Sequence, residues 1–259
     1  MNPSLFFEVH TWMAGAVLCF ARIAPVFFML PFLNSGVLGG SLRNAVIVLV
    51  GMALWPYGRQ NLPSLDTLAF YGLIAQEATI GVVLGCLLSF PFWVLHAMGN
   101  LIDNQRGAVL SNTIDPANGV DTSEMANFLN LFAAVIYLEG GGMQLLAQTL
   151  GGSYALCSPV APCEFRLDPL LALLDLLVSK TLIISAPVVI VLLLTEALLG
   201  LLSRYAPQMN AFSVSLTVKG PIALLALLLY FGSHLPEEIF RMGGLQFQLP
   251  DWFVAKKVP

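Results

Sequence analysis

Apolar residues in this chain gather into six runs separated by short polar islands: 11–33, 42–56, 68–101, 125–150, 167–202 and 212–235. None shows the strict two-residue alternation of a barrel strand. Unbroken apolar runs satisfy their backbone polar groups in hydrocarbon as helices. The lengths are uneven. The second run falls short of the roughly 20 residues that a bilayer crossing needs, while the third and fifth exceed it. Breaks are frequent: Pro25 and Pro31 in the first run, Pro91 in the third, Gly140-Gly141-Gly142 in the fourth, Pro187 in the fifth and Pro221 in the sixth. The expected fold is an all-α integral membrane protein of kinked and broken helical hairpins, packed against other helices more than against lipid. Pro91 is expected to kink its helix, and a turn-back near Pro187 is one way to fit the fifth run.

Composition sharpens this picture. The chain has 259 residues, 58% hydrophobic and only 10% charged, against about 25% charged in a typical soluble domain. These values exclude a soluble globule, a disordered acidic chain and a nucleic-acid binder. Eleven Lys and Arg against fifteen Asp and Glu leave a net charge of −4, too small to imply an electrostatic partner. The start of the chain lacks the basic region and cleavage pattern of a signal peptide, so the first run is expected to persist in the mature protein. Cys19 and Cys86 lie in apolar runs and read as small buried hydrophobes. Cys157 and Cys163 flank Ser158-Pro159-Val160-Ala161-Pro162. They either close a small disulfide ring facing an oxidising space or remain free thiols. Six crossings place this loop on the same side as the tail bearing Arg241, Lys256 and Lys257. A periplasmic disulfide and a cytoplasmic basic tail then exclude each other.

Several ionisable residues interrupt the apolar runs: Arg22, Glu77, Glu139, Asp175, Lys180, Glu196 and Lys219. A charge at mid-bilayer costs about 2.5–3.5 kcal/mol on insertion scales, so each is expected to face protein or water with a partner. They are either buried ion pairs that fix helix register or members of an ion pathway. Glu77, Gly81, Gly85 and Ser89 recur every four residues, and Gly81 with Gly85 forms a small-xxx-small pattern for close helix approach. Asp168, Asp175 and Ser179 share one face of an otherwise leucine-rich helix. The island 100–124 is dense in turn formers, with Asp115-Pro116 and Asn118-Gly119. Asp121 or Thr122 is expected to cap the helix that follows. Phosphate-loop, nucleophile-elbow and zinc-protease motifs are missing, and His10, His96 and His234 lie far apart. No enzymatic activity, cofactor or metal is expected. Arg22-Ile23-Ala24-Pro25 is echoed by Arg204-Tyr205-Ala206-Pro207, too short a match to establish a repeat.

Longer blocks carry a family resemblance. Phe20-Ala21-Arg22-Ile23-Ala24-Pro25-Val26-Phe27-Phe28 followed by Pro31-Phe32-Leu33-Asn34-Ser35-Gly36 resembles the N-terminal helix and turn of type III export gate proteins, the flagellar FliR and virulence SctT (SpaR-type) family. So do Glu77 with Gly81 and Gly85, Ile102-Asp103-Asn104-Gln105-Arg106-Gly107, and Asp115-Pro116-Ala117-Asn118 through Met125-Ala126-Asn127-Phe128. The block 202–212, Leu-Ser-Arg-Tyr-Ala-Pro-Gln-Met-Asn-Ala-Phe, agrees as well. Asn104-Gln105-Arg106-Gly107 and the cysteine loop are closer to the SpaR-type branch.

The resemblance implies an SctR-like part over 1–160, an SctS-like hairpin over 161–235 and a tail over 236–259. It implies a bacterial inner-membrane subunit at the base of the apparatus, partly above the membrane plane on the periplasmic side. With SctR- and SctS-type subunits it would line the inlet pore for unfolded effectors, beside an SctU-type switch protein and an inner rod or needle adaptor. It also implies a plug loop near 106–124. Flagellar relatives carry bulky aromatics there, whereas this chain offers Arg106, Val109, Leu110, Thr113, Ile114, Asp115, Pro116, Asn118 and Gly119. Gly81, Gly85, Arg22, Pro25, Arg204 and Pro207 are the expected helix-packing residues. A secondary transporter or ion channel using Glu77, Asp175, Lys180, Glu196 and Lys219 is the competing reading.

Overall fold

The computed structural model describes residues 3–34, 37–56, 67–107, 123–159, 163–166, 168–206, 208, 210–232, 234–244 and 253–255. Helices dominate. In chain order they are α1 (Pro3–Met29), α2 (Gly40–Leu54), α3 (Leu68–Arg106), α4 (Glu124–Glu139), α5 (Gly142–Leu156), α6 (Asp168–Tyr205), α7 (Ala211–Phe231) and α8 (Leu235–Gly243). A two-stranded antiparallel pair joins β1 (Cys163–Phe165) to β2 (Phe253–Ala255), with Cys163 opposite Ala255. The hydropathy pattern gave no hint of this pair.

Among the described residues, four helices are long and apolar enough to span a bilayer, and α4 with α5 adds a fifth if that broken pair counts as one span. Six crossings are therefore not supported, because α2 has only 15 residues. The protein is an all-α integral membrane protein, and among the described residues the β1–β2 pair is the exception. α3 has 39 residues and α6 has 38. At about 1.5 Å per residue each approaches roughly 57 Å, nearly twice a hydrocarbon core of about 30 Å. The turn-back near Pro187 does not occur, since α6 continues through that residue. A proline costs a helix one backbone hydrogen bond, and the long apolar flanks of α6 maintain the helix on both sides.

Two glycines end helices as their backbone angles require. Gly141, with φ 83°, separates α4 from α5, and Gly107, with φ 79°, closes α3. Both lie in the left-handed region that favours glycine.

Two compact units divide the chain, with a boundary inside α3 between Phe90 and Pro91. The first unit holds α1, α2, the front of α3, α5 and the strand pair. Its core includes Leu18, Ile23, Phe27, Leu84 and Tyr154, all buried. A Cβ on Gly51 would strike the side chain of Cys19, so α2 lies close against α1 there. The second unit holds the rest of α3, most of α4, α6 from Leu174 onward, α7 and α8 to Met242. Phe92, Met98, Leu129 and Ala133 are buried in it, and Phe92 meets Tyr137 edge-on at 5.4 Å. A Cβ on Gly99 would collide with the backbone at Ala126, so α3 and α4 approach backbone to backbone.

Candidate functional site

Inside the first unit, close packing creates a buried polar node. Gly81 sits one turn after Glu77 on α3. A Cβ at Gly81 would drive into the backbone carbonyl of Arg22, and one at Gly85 would meet Met29 and the carbonyl of Pro25. The glycines thus bring α1 against α3 at the level of Arg22. There the Arg22 guanidinium grips Glu77 with two parallel bonds, Nε to Oε2 at 2.5 Å and Nη2 to Oε1 at 2.8 Å. Both side chains are fully buried. α5 and its C-cap residue Cys157 supply the remaining partners. Arg22 Nη1 donates to Ser153 Oγ at 3.2 Å and Nη2 donates to the Cys157 carbonyl at 2.9 Å. The Tyr154 ring lies under the guanidinium, 4.0 Å from its centroid, and Trp55 meets that ring edge-on.

Partner count decides what such a node can do. A buried ion pair adds stability only when further hydrogen bonds satisfy its donors, and losing one partner costs about 3–5 kcal/mol. Here the pair has those bonds. Its geometry suits joining three helices rather than exchanging protons.

The second unit holds the ends of the loop between α3 and α4. Asp103 Oδ1 accepts from Arg106 Nε at 2.6 Å, while Oδ2 accepts from Ser123 Oγ at 2.6 Å and from the Met125 backbone N–H at 3.1 Å. Ser123 Oγ in turn accepts from the Ala126 N–H at 3.1 Å. The cap of α4 is therefore Ser123, not Asp121 or Thr122, which lie outside the described residues. One carboxylate pins the chain both before and after the loop. Beside it, Lys219 donates to the Gln105 carbonyl at 3.2 Å and to Glu196 Oε2 at 2.9 Å. Those bonds fasten the end of α3 to α7 and α6.

The other expected site residues fall unevenly. Arg106 is at the start of this anchored loop. Val109, Leu110, Thr113, Ile114, Asp115, Pro116, Asn118 and Gly119 lie outside the described residues, as does Pro207. Lys219 is buried, and Lys180 is half-buried and paired with Glu238 at 3.1 Å. The expected burial fails within this chain for Asp175, which is exposed, and for Glu196, whose side chain is 58% exposed. Asp168 and Ser179 are exposed too, so the polar face of α6 points outward. Arg204 is exposed at the end of α6. Cys157 and Cys163 are joined as a disulfide, Cα to Cα 5.8 Å. Sequence reasoning missed Ser153, Tyr154 and the bracing role of Asp103. The one signal for Asp103 is a lone acid near the end of a long apolar helix.

The profile of bacterial export proteins, family 1, matches residues 13–239. The chain belongs to this family. Within it, SpaR of Salmonella typhimurium, a surface presentation of antigens protein, is 55% identical over 256 residues, covering 99% of this chain and 97% of the relative. SpaR of Shigella flexneri is 49% identical over 86% of this chain and 88% of its own. The flagellar biosynthetic protein FliR of Escherichia coli is 26% identical over 85% of this chain and 88% of its own. These identities place this export-family chain in the virulence (SpaR-type) branch, apart from the flagellar one.

Proposed function

We propose that the chain is a subunit of the type III secretion export gate in the bacterial inner membrane. With SctR- and SctS-type subunits it forms the inlet pore through which unfolded effector proteins leave the cytoplasm. Residues 1–160 act as the SctR-like part, 161–235 as the SctS-like hairpin and 236–259 as the tail. An SctU-type switch protein and an inner rod or needle adaptor are its further neighbours.

One observation carries this reading beyond family membership. α6 is nearly twice as long as a membrane is thick, yet only 22% of its most apolar window is buried within the chain, against 72% for α3. Tilt cannot absorb so much length at a modest angle. A helix that extends past the lipid with leucines exposed needs protein around it, and sibling helices supply that cover. The part of the subunit above the membrane plane on the periplasmic side is built from this excess.

The loop 106–124 serves as the plug. Its sequence offers Val109, Leu110 and Ile114 as the apolar side chains that a dry seal against ions requires, and Asp115-Pro116 and Asn118-Gly119 as turn-favouring pairs. Asp103 and Ser123 hold its base. The transporter alternative needs a titratable acid free to take up a proton, and Glu77 is instead committed to Arg22.

Purification from native membranes tests the assembly. SctR- and SctS-type subunits are expected to co-purify with the chain. A monodisperse chain without them that conducts a small solute in liposomes would overturn the reading.

A further inference from the structure

The loop after α5 and the tail of the chain meet. β1 begins at Cys163, one half of the disulfide, and pairs residue by residue with β2 near Lys256 and Lys257. Strands that share a ladder share one side of a membrane. Between Phe165 and Phe253 the described residues hold two helices long and apolar enough to cross, Asp168–Tyr205 and Phe212–Tyr230. Two crossings return the chain to its starting side, in agreement with the pairing. Loop and tail therefore occupy one compartment, and the two cues to which one it is conflict. The lysines after β2 favour the cytoplasm by charge bias. A disulfide favours an oxidising space.

We infer that Cys157–Cys163 is an oxidative modification site on the periplasmic face, and that the C-terminal strand is clamped there beside it. Geometry supports the disulfide over the charge cue. The Cα separation of 5.8 Å lies in the range a disulfide needs. Cys157 is also held independently: its carbonyl accepts from Arg22, and its N–H donates to the Ser153 carbonyl at 2.9 Å. The buried node thus presents one sulfur to the other. Arg241, Lys256 and Lys257 make a small charge bias in the tail, and the first helix usually outweighs tail charge in setting orientation. In the reaction, the two thiols lose two protons and two electrons. A protein disulfide of the oxidising compartment accepts them and is reduced to its dithiol, and the new Sγ–Sγ bond forms by exchange through a mixed disulfide.

The inference rests on the inner-membrane placement proposed above and not on the gate role. To test it, native membranes holding the assembled wild-type chain are denatured and alkylated before and after reduction. The chain has four cysteines. Two modified thiols before reduction and four after are expected, and four before reduction would overturn the disulfide. Sidedness is read with Lys256→Cys and a membrane-impermeant maleimide on intact spheroplasts, the wild-type chain giving the background. Labelling of intact spheroplasts equal to that after lysis is expected. Labelling that appears only after lysis would overturn the periplasmic assignment. Neither assay requires the pore to open, so either negative result leaves the export-gate reading standing.

Discussion

Arg22 and Glu77 show how a single pair organises three helices. The guanidinium donates to Glu77, Ser153 and the Cys157 carbonyl while stacking on Tyr154. Glu77→Ala leaves a buried cation without its counter-charge, at a cost of about 3–5 kcal/mol. Thermal unfolding of the detergent-purified complex is expected to show that loss. Arg22→Met with Glu77→Leu removes both charges at similar volume and is expected to recover most of the stability. If the double variant is as damaged as Glu77→Ala, the node does more than hold helices. Asp103 makes a parallel case. Asp103→Asn weakens three charge-assisted bonds at once, which are stronger than neutral ones. Faster amide exchange over residues 123–127 is expected, and unchanged exchange would show that Ser123 caps α4 unaided. Residue types alone located Arg22, Glu77 and Lys219. They did not reveal the partners, because Ser153 and Ser123 are ordinary small polar residues until the fold sets them beside a charge.

At the scale of elements, glycine placement decides which helices touch. Gly81 and Gly99 sit where a side chain would enter a neighbouring backbone, whereas Gly152 and Gly200 face open space. Overpacking of this kind costs about 1–3 kcal/mol. Gly81→Ala and Gly99→Ala are each expected to lower the melting temperature of the detergent-purified complex. Gly152→Ala is expected to leave it level or raise it, since alanine is the better helix former by about 1 kcal/mol. Equal losses at all three positions would contradict the close approaches. The four-residue spacing of Glu77, Gly81 and Gly85 made the first seam legible in advance. Gly99 belongs to no such stripe and gave no warning. The apolar runs located α1 to α7 but not α8 (Leu235–Gly243), which falls in the stretch read as a tail, and they could not show that α6 runs unbroken through Pro187. A proline in a sufficiently long apolar run interrupts one hydrogen bond without ending the helix.

At the scale of the whole molecule, the uneven helix lengths make sense in an assembly. α2 is too short to cross a bilayer and α6 is too long for one. Leucines along α6, among them Leu193, Leu194 and Leu198, stand exposed in the described structure. The sequence already displayed this imbalance as short, long and broken runs. It displayed nothing of the strand pair, because three-residue strands leave no periodic signal. The plug belongs to this scale too. Shortening residues 111–119 is expected to make the assembled complex leak small ions, measured as conductance in lipid bilayers. An unchanged baseline would remove the plug from that loop.

The central claim is that sibling subunits, not lipid, surround the exposed face of α6. A photo-reactive amino acid placed in turn at positions 193, 194 and 198 and activated in native membranes tests it directly. Cross-links to SctR- or SctS-type subunits at one or more of these positions are the predicted result. Adducts with phospholipid alone at all three would contradict it.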